Sequence, residues 1–123
     1  MEQVLAKLRA AAEATRLRLL AICAECELTV SEITQIIGQS QPRVSRHLKL
    51  LCEAGLLVRF REGTWVFYRT PNTGPGAELL QPVLDLLPRD DETLLLDRTR
   101  LEQVKAQREQ IATEYFRANA DDW

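Results

Sequence analysis

Histidine is nearly missing from this chain, His47 being the only one, with no cluster of acidic or cysteine partners in the sequence around it. A packed or hydrogen-bonded role for His47 is therefore expected rather than a ligand role. Long apolar runs are missing too: nothing approaches the ~20 residues needed to cross a bilayer, and the N-terminus lacks a secretory signal pattern. A soluble cytoplasmic protein with no membrane partner is the expectation. Cysteine is scarce, with only Cys23, Cys26 and Cys52, and without a signal peptide these do not suggest a disulfide framework. There are no internal repeats, no Gly-rich phosphate loop and no catalytic pair of side chains. The one Cys-x-x-Cys sits at a helix end rather than at a helix start, where a thioredoxin-type site would need it. An enzyme is not expected.

What is present is an ordinary globular composition, 46% hydrophobic and 28% charged, over a length that suits one domain. The net charge of −2 looks wrong for a nucleic-acid partner, but its distribution does not. Residues 42–76 carry six basic against two acidic side chains, a net of +4, while 1–41 amount to −1 and 77–123 to −5. Positive charge is gathered in the middle third, where phosphate neutralisation would require it.

Apolar spacing predicts a first helix over 2–13, with Val4, Leu5, Leu8, Ala11 and Ala12 on one face. Thr15 offers an N-cap for a second helix running to about Glu25, with Leu17, Leu20, Ala21 and Ala24 as its apolar stripe. Thr29 and Glu32 form a capping-box pattern opening a third helix, which Gly38 stops after Ile37. Ser40 caps a fourth, Pro42 is tolerated in its first turn, and Val44, Leu48 and Leu51 face inward until Gly55 ends it. Two alternating, aromatic-rich runs on either side of Glu62-Gly63 read as a β-hairpin, with Trp65 packing it against the body. Residues 70–76 read as a loop, 77–87 as a helix that Pro82 bends or splits, and 90–118 as one long helix. Along the last, positions 94, 101, 104, 111, 115 and 118 are apolar and 97 and 108 polar. Asp97, Glu102, Glu109 and Glu114 read as solvated charges. At ~1.5 Å per residue this helix is longer than a small domain can cover, so its seam asks for a partner helix.

The expected fold is mainly α: a winged helix-turn-helix with a two-stranded β-hairpin wing over residues 1–89, then a long C-terminal dimerisation helix over 90–123. Gln41, Arg43, Ser45 and Arg46 are placed to read base edges of double-stranded DNA. Gln39, Ser40 and Lys49 suit its phosphates, and Arg59, Arg61 and Gly63 suit a wing lying over the backbone. Val4, Leu8, Leu94, Leu101, Val104, Ile111 and Tyr115 are assigned to a homodimer interface, so that two fourth helices read a palindrome. Cys23 and Cys26 lie three residues apart, within reach of one soft ion, and Cys52 could complete a three-sulfur site. Inert packed thiols are the simpler reading, since a helix C-terminus disfavours thiolate.

Thr15 to Leu20, Glu27 to Ile33, Ser40 to Leu51, Glu53 to Leu57 and Arg61-Glu62-Gly63 together resemble the ArsR family of winged-helix repressors, over about residues 5–69. The resemblance implies a dimeric repressor that leaves its operator when an inducer binds. Founding arsenic sensors place cysteines on helix three, where this chain has Thr29 and Ser31. The Asp/His set of the zinc sensors is missing from its final helix. The usual Asp-Pro before Thr-Arg is replaced by Glu13-Ala14. Residues 111–123 are similar to the linker of family members fused to an S-adenosylmethionine-dependent methyltransferase, which points to a lone regulator or a truncated chain of that branch and to no methyl transfer by these residues. The inducer stays open between a thiophilic ion such as arsenite or antimonite, a redox signal and a methyl-cycle metabolite, and no cofactor is assigned; the alternative of another class is a dimerisation module that does not bind DNA.

Overall fold

Leu19, Leu20, Leu28, Ile33, Ile36, Leu48, Leu51 and Leu56 lose all contact with solvent, and the helices are arranged around them. Each such side chain contributes about 1.5–3 kcal/mol relative to leaving it exposed. The computed structural model describes residues 1–120. Its elements are α1 (Glu2–Ala11), α2 (Ala14–Glu25), α3 (Val30–Ile37), α4 (Gln41–Glu53), β1 (Val58–Glu62), β2 (Trp65–Arg69), α5 (Pro75–Asp85) and α6 (Glu92–Asn119). Residues 121–123, the end of the linker-like segment, lie outside the described residues.

Several boundaries move from their expected places for local reasons. The cap of α2 is Glu13 and not Thr15: the carboxylate accepts the Arg16 N–H at 2.9 Å, while Thr15 is buried and its hydroxyl accepts from the Gln39 side chain. The inward stripe of α2 is Leu19, Leu20, Ile22 and Cys23, with Ala24 exposed. On α1 only Ala10 and Ala11 are buried, and Val4, Leu5 and Leu8 face outward. The capping box of α3 forms as read, and Gly38 ends that helix in the left-handed conformation. Ser40 holds the N-cap position of α4, yet its hydroxyl makes no capping bond.

The hairpin pairs antiparallel, with Arg59 opposite Tyr68, Phe60 opposite Phe67 and Arg61 opposite Val66. Glu62 belongs to β1, so the turn is Gly63-Thr64, with Gly63 at φ 60°. Leu28 adds a one-residue bridge to Tyr68, its N–H donating to the Tyr68 carbonyl at 3.1 Å and its carbonyl accepting at 2.8 Å. That bridge ties the hairpin to the segment between α2 and α3. Trp65 does not pack the wing against the body. It sits beside the turn, opposite Glu62, and is 63% exposed.

The loop after the hairpin is shorter than expected, because Pro75 occupies the first turn of α5 and Pro82 lies within that helix without dividing it. Gly76 allows a close approach: a Cβ there would lie 2.2 Å from the carbonyl oxygen of Gly55. The first half of α6 packs on α2 and α3 of the same chain. Leu101 and Val104 are buried there, so these two predicted interface residues belong to the core, where no partner can reach them. Asp97 is likewise no solvated charge: it is 2% exposed and held by Arg18.

Candidate nucleic-acid interface

α4 has two unlike faces. Val44, Leu48 and Leu51 are fully buried, whereas Gln41, Arg43, Arg46 and Lys49 are exposed and Ser45 is half-buried between them. The helical period does this, since the apolar positions are spaced four and three apart and the polar ones fill the opposite arc. No acidic side chain stands in the first turn. The N-terminal end of α4 therefore keeps the positive character of its dipole and of its unpaired N–H groups, with no Ser40 hydroxyl satisfying them.

The wing supplies a second basic surface. Arg59 and Arg61 share one face of β1, both exposed, and Gly63 lies at the exposed turn. On the opposite face Phe60 and Phe67 stack with ring centres 5.7 Å apart, Arg69 lies over Phe60 at 5.4 Å and Arg108 over Phe67 at 5.9 Å. Hence Arg69 serves packing, while Arg59 and Arg61 are left to solvent or a ligand.

Gln39 is turned away from this surface. Its amide donates to Thr15 at 2.9 Å and its buried carbonyl oxygen has no partner among the described residues, so it shapes the turn instead of projecting from it. Sequence reasoning missed the group around His47. Its Nδ1 accepts from Arg16 Nε at 3.1 Å, which places the remaining ring proton on Nε2. Burial holds the imidazole below its ordinary range; Arg16, Arg43 and Arg46 push the same way and Glu13 opposes them. Burial would raise Glu13, but the N–H groups of Arg16 and Thr15 and the nearby positive charges outweigh it and hold its carboxyl low. Arg16 and His47 are 31 residues apart, and no spacing rule links them.

Among the described residues the three thiols are not gathered as a three-sulfur site. Cys23 is buried and its thiol is pushed far up by desolvation, with the other two cysteines adding to the shift. Cys52 is half-buried and also raised, by burial first and by Glu53, against Arg59. Cys26 instead receives a contact from Arg108 Nη1 at 3.4 Å. Among the described residues no group of three His, Cys, Asp or Glu side chains is placed to hold a metal ion.

Two helices joined by a tight turn, the second exposing a basic face, followed by a basic hairpin, define a winged helix-turn-helix protein. The family model described as bacterial regulatory protein, arsR family, matches residues 13–58. The chain is 46% identical over 59 residues to the arsenical resistance operon repressor of Escherichia coli, covering 47% of this chain and 50% of that protein. It is 38% identical over 61 residues to an uncharacterised HTH-type transcriptional regulator of Methanocaldococcus jannaschii, covering 49% of this chain and 68% of that one. Among solved structures it is similar to the homodimeric winged helix-turn-helix DNA-binding domain of a possible ArsR-family regulator from Mycobacterium bovis. There the TM-score is 0.59 at 29% identity, covering 69% of this chain and 74% of that one. The chain belongs to the ArsR family of bacterial regulatory proteins. Its match to the Escherichia coli repressor spans half of that protein's length.

Proposed function

We propose that the protein is a transcriptional repressor of the cytoplasm that binds a palindromic operator as a homodimer and leaves it when an inducer binds. The observation that carries this reading is the division of α4, with Val44, Leu48 and Leu51 fully buried and Gln41, Arg43 and Arg46 exposed opposite them. In this reading Gln41, Arg43, Ser45 and Arg46 meet base edges, and Ser40, Lys49, Arg59, Arg61 and the Gly63 turn follow the phosphates. Arg16 fixes the tautomer of His47 and so stiffens the junction between α2 and α4.

The self-association surface centres on α1, whose Val4, Leu5 and Leu8 are about half exposed, in a row at helical spacing. The far part of α6, with Ile111 and Tyr115, is the second surface, and Leu94 is half-buried beside the protomer's own core. The homodimeric Mycobacterium bovis relative supports pairing.

Selection of duplexes from a random pool, followed by binding titrations at rising salt, tests the reading. A two-fold symmetric consensus and a steep linear fall of log affinity with log salt are expected. Recovery of no consensus, or affinity indifferent to salt, would overturn it. Sedimentation of Leu8→Lys and Ile111→Lys assigns the pairing surface: the variant that becomes monomeric marks it.

A further inference from the structure

A cavity of about 380 Å³ lies between α2, α5 and the start of α6. Its volume is that of a small-molecule site. Ile22 and Leu101 form a buried apolar floor, and Leu84 and Leu94 stand half-buried at its sides. The charged groups around it are not equally engaged. Asp97 is answered by Arg18, and Glu25 by Arg98 at 3.6 Å. Asp85 accepts only from Gln81, and neither Asp85 nor Arg89 has an ion-pair partner among the described residues. The cavity thus has an apolar floor and an exposed rim on which one carboxylate and one guanidinium have no ion-pair partner among the described residues.

We propose that this cavity is an effector site for a small zwitterionic organic molecule of amino-acid type. Its ammonium is held by Asp85, its carboxylate by Arg89, and its apolar part lies on Leu84 and Leu94.

One wall of the cavity is also the end of a strap to the helix-turn-helix. Arg18 donates to both Asp97 oxygens at 2.8 Å, and its Nη2 also donates to the Ile37 carbonyl at 2.9 Å. Ile37 is the last residue of α3, next to the Gly38 turn that aims α4. Arg100 of the same α6 holds the neighbouring Ile36 carbonyl at 3.1 Å. An occupant seated against Asp97 therefore bears on the side chain that joins the cavity to the turn. As a route to operator release this strap rests on the DNA-binding reading above; occupancy of the cavity does not.

The test uses the full chain and three probes: L-phenylalanine, 2-phenylethylamine and 3-phenylpropanoate. Calorimetry and methyl NMR should show saturable L-phenylalanine binding with shifts at Leu84 and Leu94, and each singly charged analogue about tenfold weaker. Arg89→Gln should weaken L-phenylalanine and 3-phenylpropanoate but leave 2-phenylethylamine unchanged; Asp85→Asn should do the reverse. Equal affinity for all three probes, shifts elsewhere, or no saturable binding would overturn the site. Hydrogen exchange of the amides of residues 38–41 should change when L-phenylalanine is bound, and unchanged exchange at saturation would overturn the strap alone. Failure of the protein to bind any duplex would sink the DNA reading and leave these titrations standing.

Discussion

Arg108, midway along α6, grips Glu32, the residue that closes the capping box of α3. Its Nε donates to one carboxylate oxygen at 2.7 Å and its Nη2 to the other, while Nη2 also reaches the Glu27 carbonyl at 2.8 Å. The same guanidinium touches Cys26 and lies over Phe67 of the wing. One side chain therefore joins the long helix, the start of the helix-turn-helix and the wing. Burial would raise the Glu32 carboxyl, but the Arg108 and Thr29 hydrogen bonds hold it below the usual range.

Arg108→Ala should cost about 1–2 kcal/mol, the range for charge-assisted hydrogen bonds reduced for the partial exposure of this pair. Urea denaturation measures it. Because Arg108 reaches the wing, increased mobility of β1 and β2 by NMR relaxation should accompany the loss.

Asp97→Ala is expected to be harsher. It leaves Arg18 without its carboxylate in a largely buried position, where breaking an ion pair costs about 3–5 kcal/mol. A denaturation midpoint equal to wild type would show that water replaces the carboxylate at no cost.

Gly76→Ala should lower the melting temperature strongly, since the added Cβ would meet the Gly55 carbonyl oxygen, a backbone atom that cannot swing aside. Overpacking of this kind costs about 1–3 kcal/mol or more. Gly63→Ala should be milder, with open space around the turn and only the positive φ against it.

Arg43→Ala and Arg61→Ala separate base reading from phosphate binding. The first should reduce selected-site affinity by about 1–3 kcal/mol while barely changing random-duplex affinity. The second should weaken both alike and reduce the salt slope by about one. Competition binding at several salt concentrations reads out both.

Acid should loosen the α2–α4 junction. The fold depresses His47 below 6.5, so the unfolded chain takes up this proton at higher pH than the folded one does. Stability is then full above about pH 6.5 and declines as pH falls through the lower folded value. His47→Gln should remove that limb. The limb from Glu13 and Glu32, whose carboxyls are also held low, remains below about pH 4.5 in both proteins. Urea midpoints across this pH range test the assignment.

Periodicity and capping chemistry were enough to locate the six helices and the hairpin of the described residues, because those signals are local: Thr29 to Glu32, Gly38 after Ile37, and Val44, Leu48 and Leu51 on one face. The two-faced character of α4 was legible for the same reason. Which side of α1, α2 and α6 is covered was not, since apolar residues occur on more than one face of each. The neighbour that arrives decides: Leu101 and Val104 are taken by the core while Leu8, Ile111 and Tyr115 are left outside. The pairs Arg18–Asp97, Arg108–Glu32 and Arg16–His47 span 79, 76 and 31 residues. Chain folding alone creates them, because a charge has no preferred partner until burial removes water as the competitor.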